Sequence, residues 1–161
     1  MHKKIHFRPI SEEDQTFLYS LYASTREDEL TQTGWTNFEK ENFLRQQFVA
    51  QHEFYMEQFS NAQFQIIQAE NKPIGRLYID HRSDEIRLID IALLPEYRNQ
   101  GIGKSILTDI INDAAKANKP VRIHVERYNP ALHLYERLGF VRIGDTGVYY
   151  LMEKVPVEVD E

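Results

Sequence analysis

No cysteine occurs in the 161 residues. That absence excludes disulfides, thiolate metal sites and a cysteine nucleophile together, and it is compatible with a reducing compartment. No apolar run approaches the ~18 residues that a membrane-spanning helix needs. Residues 1–9 also lack the apolar stretch of a secretory signal. A cytoplasmic protein with no membrane partner is therefore expected. Positive charge is in deficit: 19 Lys and Arg stand against 25 Asp and Glu, for a formal net charge of -6. Binding a nucleic-acid backbone needs clustered Lys and Arg, so nucleic acid is not expected as a partner. The balance tilts toward a cationic or neutral substrate. His2, His6, His52, His81, His124 and His133 show no metal-ligand spacing, so no metal is expected. Internal repeats, low-complexity tracts and linkers are absent as well.

What is present suits one globular domain with a sizeable core. Residues 1–155 are expected to form it, with 156–161 a short acidic tail. A strand is expected where Ile5 and Phe7 alternate up to Pro9. Ser11, followed by Glu12, Glu13 and Asp14, has the composition of a helix start, and Phe17, Leu18, Leu21 and Tyr22 keep helical spacing to about Arg26. Residues 27–35 show no period and are expected to be a loop. Thr36 and Glu39 form a capping-box pattern opening a second helix to about Phe59, its apolar stripe of Leu44, Phe48, Tyr55 and Phe59 expected in the core. Strands are expected at 64–69, 74–80 and 85–93 as a meander. A helix follows over about 103–118, then a strand at 121–125, parallel to 85–93 because a helix joins the two. A short helix from Asn129-Pro130 stops at Gly139, and strands at 140–143 and 148–152 close the chain. The order β-α-α-β-β-β-α-β-α-β-β means a mixed sheet with helices on both faces, an α/β or α+β protein.

The segment Arg98-Asn99-Gln100-Gly101-Ile102-Gly103-Lys104-Ser105 lies between a strand and a helix. A helix N-terminus there presents unpaired N–H groups and partial positive charge, and glycines let the backbone approach an anion closely. A pyrophosphate is the natural guest. The dinucleotide fingerprint fails because Ile106 stands at its third glycine, and the nucleoside-triphosphate loop fails because Arg98 stands at its first. What remains is Arg-x-x-Gly-x-Gly at Arg98, Gly101 and Gly103.

This loop resembles the coenzyme A pyrophosphate loop of the GNAT superfamily. Asp90-Ile91-Ala92-Leu93-Leu94-Pro95-Glu96-Tyr97-Arg98 is similar to that family's fourth strand and lead-in. Asn129-Pro130-Ala131, together with Tyr135-Glu136-Arg137-Leu138-Gly139-Phe140, is similar to its second signature. The resemblance implies the GNAT acyl-CoA N-acyltransferase fold with splayed central parallel strands, and acetyl-CoA as the cofactor. It implies that backbone at Ile91, Ala92 and Leu93 pairs with the pantetheine arm. The pyrophosphate would lie against residues 98–105, namely Arg98, Asn99, Gln100, Gly101, Ile102, Gly103, Lys104 and Ser105. Asn129 would lie along the arm, and Tyr135 would protonate the leaving thiolate. On their own, Tyr135 reads as a packing residue of a short helix and Asn129 as a helix cap. Many members dimerise, which makes a homodimer the expected assembly.

The implied reaction is N-acetyl transfer to a primary amine of a small molecule or peptide. An ammonium is no nucleophile, so a base or water relay must first take its proton. Without cysteine, direct attack in a ternary complex is favoured over an acyl-enzyme. Glu85 is the first candidate base, with Asp90, Glu126 and water as the others. Arg26, Glu27-Asp28-Glu29 and Trp35 lie in the segment that shapes the acceptor pocket in such proteins. The rival class is a non-catalytic acyl-CoA-binding regulatory module, in which Tyr135 would have no chemical task.

Overall fold

The computed structural model describes residues 4–157. The expected tail at 156–161 therefore lies largely outside the described residues, as does His2. Among the described residues there are seven strands and four α-helices: β1 (Ile5–Pro9), α1 (Gln15–Thr31), α2 (Asn37–Gln58), β2 (Gln63–Ala69), β3 (Lys72–His81), β4 (Ile86–Leu93), α3 (Ile102–Lys116), β5 (Val121–Glu126), α4 (Leu132–Arg137), β6 (Val141–Asp145) and β7 (Tyr149–Lys154). The order is the one read from the sequence. The strands form a seven-stranded sheet in the order β1-β2-β3-β4-β5-β7-β6. Among the described residues, no helix is long and apolar enough to cross a membrane.

The chain divides into two compact units. The first runs to Leu77 and includes Ala92–Tyr97; the second contains Tyr78–Ile91 and continues from Arg98.

In the first unit β1 pairs antiparallel with β2 from Ile5↔Ala69 to Pro9↔Gln65. Its core gathers Leu18, Tyr22, Phe48 and Ile66, with the Phe48 ring 5.8 Å from Tyr19 and 5.9 Å from Tyr22. The acids at 12–14 form a 3-10 turn (Glu12–Asp14) ahead of α1. Asp14 is buried, and both its oxygens accept from the Arg8 guanidinium at 2.8 Å. The Arg8 hydrogen bond, opposed by burial and helped by the Ser11 N–H, lowers the Asp14 pKa to about 2.

One local expectation fails here. α1 does not stop near Arg26 but reaches Thr31. Leu30, eight residues after Tyr22 on the same helical face, is buried and carries the helix through the charged run. Arg26 bonds Glu29 at 2.7 Å and the Tyr22 hydroxyl at 2.6 Å. In α2 the stripe Leu44, Phe48, Tyr55 and Phe59 is covered, fully at Phe48 and by half at the others, and Leu44 packs against the core that Phe48 joins; Phe38, outside that stripe, is 73% exposed. Phe54 is also exposed, and it leans on Tyr55 and Phe59. The capping box does form: Thr36 Oγ1 accepts from the Glu39 N–H at 3.2 Å, and Glu39 accepts from the Thr36 N–H at 3.3 Å.

In the second unit β4 and β5 are parallel through Ile86↔Val121, Arg87↔Arg122 and Leu88↔Ile123, as the joining helix requires. β5 pairs antiparallel with β7 along its length, and β6 pairs antiparallel with β7 around an irregularity at Arg142/Gly144. Leu88, Ile106, Leu107, Val121, Ile123, Tyr135, Phe140 and Met152 are buried. α4 begins at Leu132, two residues later than Pro130, because Asn129 first closes a turn with its Oδ1 accepting from the Ala131 N–H at 2.9 Å.

Candidate active site

Leaving β4, the chain passes the 3-10 turn Pro95–Tyr97 and enters residues 98–101. Two residues there have left-handed backbone, Asn99 (φ 59°) and Gly101 (φ 83°). Asn is the side chain that tolerates this region best, and glycine occupies it without cost. Such alternation turns successive N–H groups toward one side. Gly101 is the N-cap of α3 and has no side chain with which to cap it. The first helical bond there runs from the Ser105 N–H to the Gly101 carbonyl at 3.0 Å. Helix geometry thus leaves the N–H groups of Ile102, Gly103 and Lys104 without an intrahelical partner. No acid occupies the first turn of α3, so its positive end is not neutralised from within. A Cβ at Gly101 would meet nothing within 4 Å, so the loop opens onto free space. Asn99, Gln100, Gly101, Lys104 and Ser105 are exposed, while Arg98, Ile102 and Gly103 are half-buried.

The second feature is a separation of strands. Pairing of β4 with β5 ends at Leu88↔Ile123, yet β4 runs on to Leu93 and β5 to Glu126. Asp90 and Ile91, both half-buried, lie on the β4 stretch past that point. Ala92 and Leu93 are half-buried at the close of β4 and belong to the first unit.

Tyr135 lies on α4 and is 3% exposed. Its packing role is evident. α4 ends in a Schellman motif: the Gly139 N–H donates to the Glu136 carbonyl and the Phe140 N–H to the Tyr135 carbonyl, each at 3.0 Å. Gly139 supplies the left-handed residue, at φ 98°. The contact that accompanies such a motif is the Tyr135 ring against Phe140, with centroids 5.5 Å apart. Burial, and then the charge of Asp90, raise the Tyr135 pKa. The phenol therefore keeps its proton through neutral pH, and Asp90 lies within its electrostatic reach. Asn129 is exposed at the turn before α4.

Glu85 is placed differently. It is 5% exposed, directly before β4. Its oxygens accept from Arg82 at 3.0 Å and from Arg87 and Arg122 at 3.3 Å each. Arg122 continues to Glu153 at 2.8 Å and Arg82 to Asp80 at 3.0 Å. Burial pushes the Glu85 pKa up, but the Arg87 charge and the hydrogen bonds from Arg122, Arg87 and Arg82 outweigh it, and the net shift is downward. A carboxylate so held is a poor proton acceptor. It also stands six residues before Ile91, roughly 20 Å along an extended strand. Arg87 further donates to His124 Nδ1 at 2.9 Å, since a guanidinium has no acceptor. Burial and then the Arg87 charge lower the His124 pKa. In the sequence Arg122 and His124 merely alternate with Val121, Ile123 and Val125; strand register is what joins them to Glu85 and Arg87.

Glu126 is exposed at the end of β5. In the first unit Arg26 lies 5.8 Å from the Tyr22 ring centroid and 5.6 Å from that of Phe43, and Trp35 packs on Phe43 at 5.2 Å. Glu27 and Asp28 are exposed on α1. Among the described residues, no three of His, Asp and Glu come together as a metal site would require.

The family profile described as the acetyltransferase (GNAT) domain matches residues 60–142, just over half of the chain. The [ribosomal protein bS18]-alanine N-acetyltransferase of Haemophilus influenzae is 33% identical over 81 residues. That match covers 50% of this chain and 56% of the relative, so the chain spans about half the length of the curated relative it matches. Among solved structures, the PaiA N-acetyltransferase of Thermoplasma acidophilum in complex with coenzyme A is similar with a TM-score of 0.69 and 21% identity, over 94% of this chain and 99% of that one. The ribosomal-protein-S18-alanine N-acetyltransferase of Escherichia coli is similar with a TM-score of 0.63 and 18% identity, over 98% and 97%.

Proposed function

The chain belongs to the GNAT acetyltransferase family, and from that premise we propose that it moves an acetyl group from acetyl-CoA to a primary amine, by direct attack within a ternary complex. The observation that carries this reading is the opening of α3. Two left-handed residues, a side-chain-free N-cap and open space over Gly101 form a cradle that a Cβ would fill. Its donors suit a pyrophosphate.

Residues 98–105 are assigned to the diphosphate, with the N–H groups of Ile102, Gly103 and Lys104 as the main donors. Backbone at Ile91, Ala92 and Leu93 is assigned to the pantetheine arm, and Asn129 to its flank. When bound, acetyl-CoA supplies an activated thioester carbonyl. The chain's own tasks are to orient that carbonyl, to accept the amine's proton and to steady the departing sulfur. Tyr135 takes the last task. Its raised pKa ensures that it carries a proton, but full transfer from such a phenol to a thiolate, whose thiol titrates at about 8.5, runs uphill. Tyr135 therefore acts chiefly as a hydrogen-bond donor to the sulfur as charge develops.

For proton acceptance we prefer Asp90, acting through water. It lies past the last β4–β5 pair, next to Ile91, and its charge reaches Tyr135, whereas Glu85 stands six residues before Ile91. Two relatives carry the name of an alanine N-acetyltransferase acting on a ribosomal protein, so the α-amine of an Ala-initiated peptide is the first acceptor to try. Release of coenzyme A thiol, followed with acetyl-CoA and a panel of that peptide, a lysine peptide and polyamines, tests the reading. Amine-dependent release is expected; saturable acetyl-CoA binding without release for any amine would instead mark a binding module.

A further inference from the structure

Gly75 lies in β3 and has no left-handed backbone; what it needs is space. A Cβ there would stand 2.2 Å from the carbonyl oxygen of Ala92, 3.2 Å from its carbon and 2.9 Å from Leu93 Cδ2. In a regular ladder, side chains stand nearly perpendicular to the sheet while carbonyls lie within it. The Ala92 carbonyl thus occupies the volume that a side chain at position 75 would take. One residue further on, the backbone bonds the neighbouring strand directly: the Leu94 N–H donates to the Ile74 carbonyl at 2.8 Å. The turn therefore includes the peptide joining Ala92 and Leu93 and is over by Leu94. That peptide is planar and trans, so its carbonyl and its N–H point in opposite directions. Seating the Ala92 carbonyl over Gly75 fixes the direction of the Leu93 N–H.

We propose that Gly75 is a positioning residue for acyl transfer: its missing Cβ lets the Ala92–Leu93 peptide turn out of the ladder, and the turned peptide sets the backbone against which the cofactor's arm lies. The inference rests on the reading that Ile91, Ala92 and Leu93 face that arm. It concerns affinity for the arm and orientation of the thioester, and leaves the diphosphate cradle untouched. Neither composition nor strand patterning points to Gly75, because a glycine in a strand ordinarily reads as a weak spot or a bulge.

The test compares acetyl-CoA with the cofactor's nucleotide half alone, a phosphorylated ADP without the pantetheine arm. In Gly75→Ala the Kd for acetyl-CoA should rise about tenfold, the equivalent of one lost backbone hydrogen bond, and kcat should fall with it. Affinity for the nucleotide half should change by less than about twofold. Leu77→Ala, a truncation at a buried position of the same strand, is the control for lost stability and should shift neither affinity. If Gly75→Ala weakens both ligands equally, or neither, Gly75 is merely structural and the proposal is overturned. Should Gly75→Ala not fold, backbone amide shifts of the wild-type protein decide. Ala92 and Leu93 should respond to acetyl-CoA and not to the nucleotide half, and the absence of an arm-dependent response overturns the proposal. A wild-type protein that binds neither ligand would instead refute the functional reading beneath it.

Discussion

Single residues in this protein serve more than one physical task, and their substitutions separate those tasks. Tyr135 caps the end of α4 through its carbonyl, packs on Phe140 through its ring and offers a hydroxyl that stays protonated. Tyr135→Phe preserves the first two. It should lower kcat by about 10- to 100-fold, toward the low end of what a positioned proton donor contributes, with the acetyl-CoA Kd within about twofold; steady-state kinetics beside calorimetry reads both. Equal turnover would remove Tyr135 from the chemistry. Glu85→Gln should behave in the opposite way. It leaves Arg82, Arg87 and Arg122 without their shared anion, at a cost of about 3 kcal/mol by analogy with broken buried ion pairs. Turnover per folded molecule should change little. Urea midpoints and kcat on the same preparation check this, and a large fall in kcat with stability intact would return Glu85 to the role of base. The difference between the two residues shows what was legible in advance. Tyr135 was found through its neighbours in sequence, residues 129–140. The engagement of Glu85 depends on β4, β5 and β7 pairing in a particular register, which brings Arg122 and Glu153 from far along the chain, and no local pattern encodes that.

Among the elements, the helix ends are the most specifically encoded features. The α3 N-terminus was legible because glycine and arginine positions specify a loop by themselves. Gly101→Val should abolish acetyl-CoA binding in a titration. It forces a β-branched residue to φ 83° and fills the open space above the loop. Retained affinity would move the diphosphate elsewhere. α2 was equally legible through Thr36 and Glu39, and Thr36→Ala should cost about 1 kcal/mol in thermal unfolding without touching affinity. The end of α1 was hidden, since residues 27–29 are all acidic and only Leu30 marks the buried face. The depth of burial along the α2 stripe, complete only at Phe48, was hidden for a related reason: periodicity shows which side chains share a face, not how fully each is covered. The turned peptide at Ala92 lay beyond sequence reading altogether, because it follows from an approach between strands and not from a residue type.

For the whole molecule, two buried carboxylates govern the acid limb of stability. The Asp14 pKa falls from about 3.9 when unfolded to about 2 in the folded protein, and that of Glu85 is lowered too. A depressed carboxylate contributes stability above its unfolded pKa and loses it as pH falls through the folded value. Stability should therefore hold near pH 5 to 6 and decline from about pH 4 toward pH 2; denaturant midpoints across that range measure it, and Arg8→Gln should flatten the part due to Asp14. Ligand acts in the other direction: acetyl-CoA at about 100 times its Kd should add about 2.7 kcal/mol. The measurement that bears most directly on the central claim is a calorimetric titration of the purified protein with acetyl-CoA, with ATP and NAD as controls. Saturable heat with acetyl-CoA alone, lost in Gly101→Val, is predicted. No heat at millimolar acetyl-CoA, or equal heat with ATP or NAD, would contradict the account.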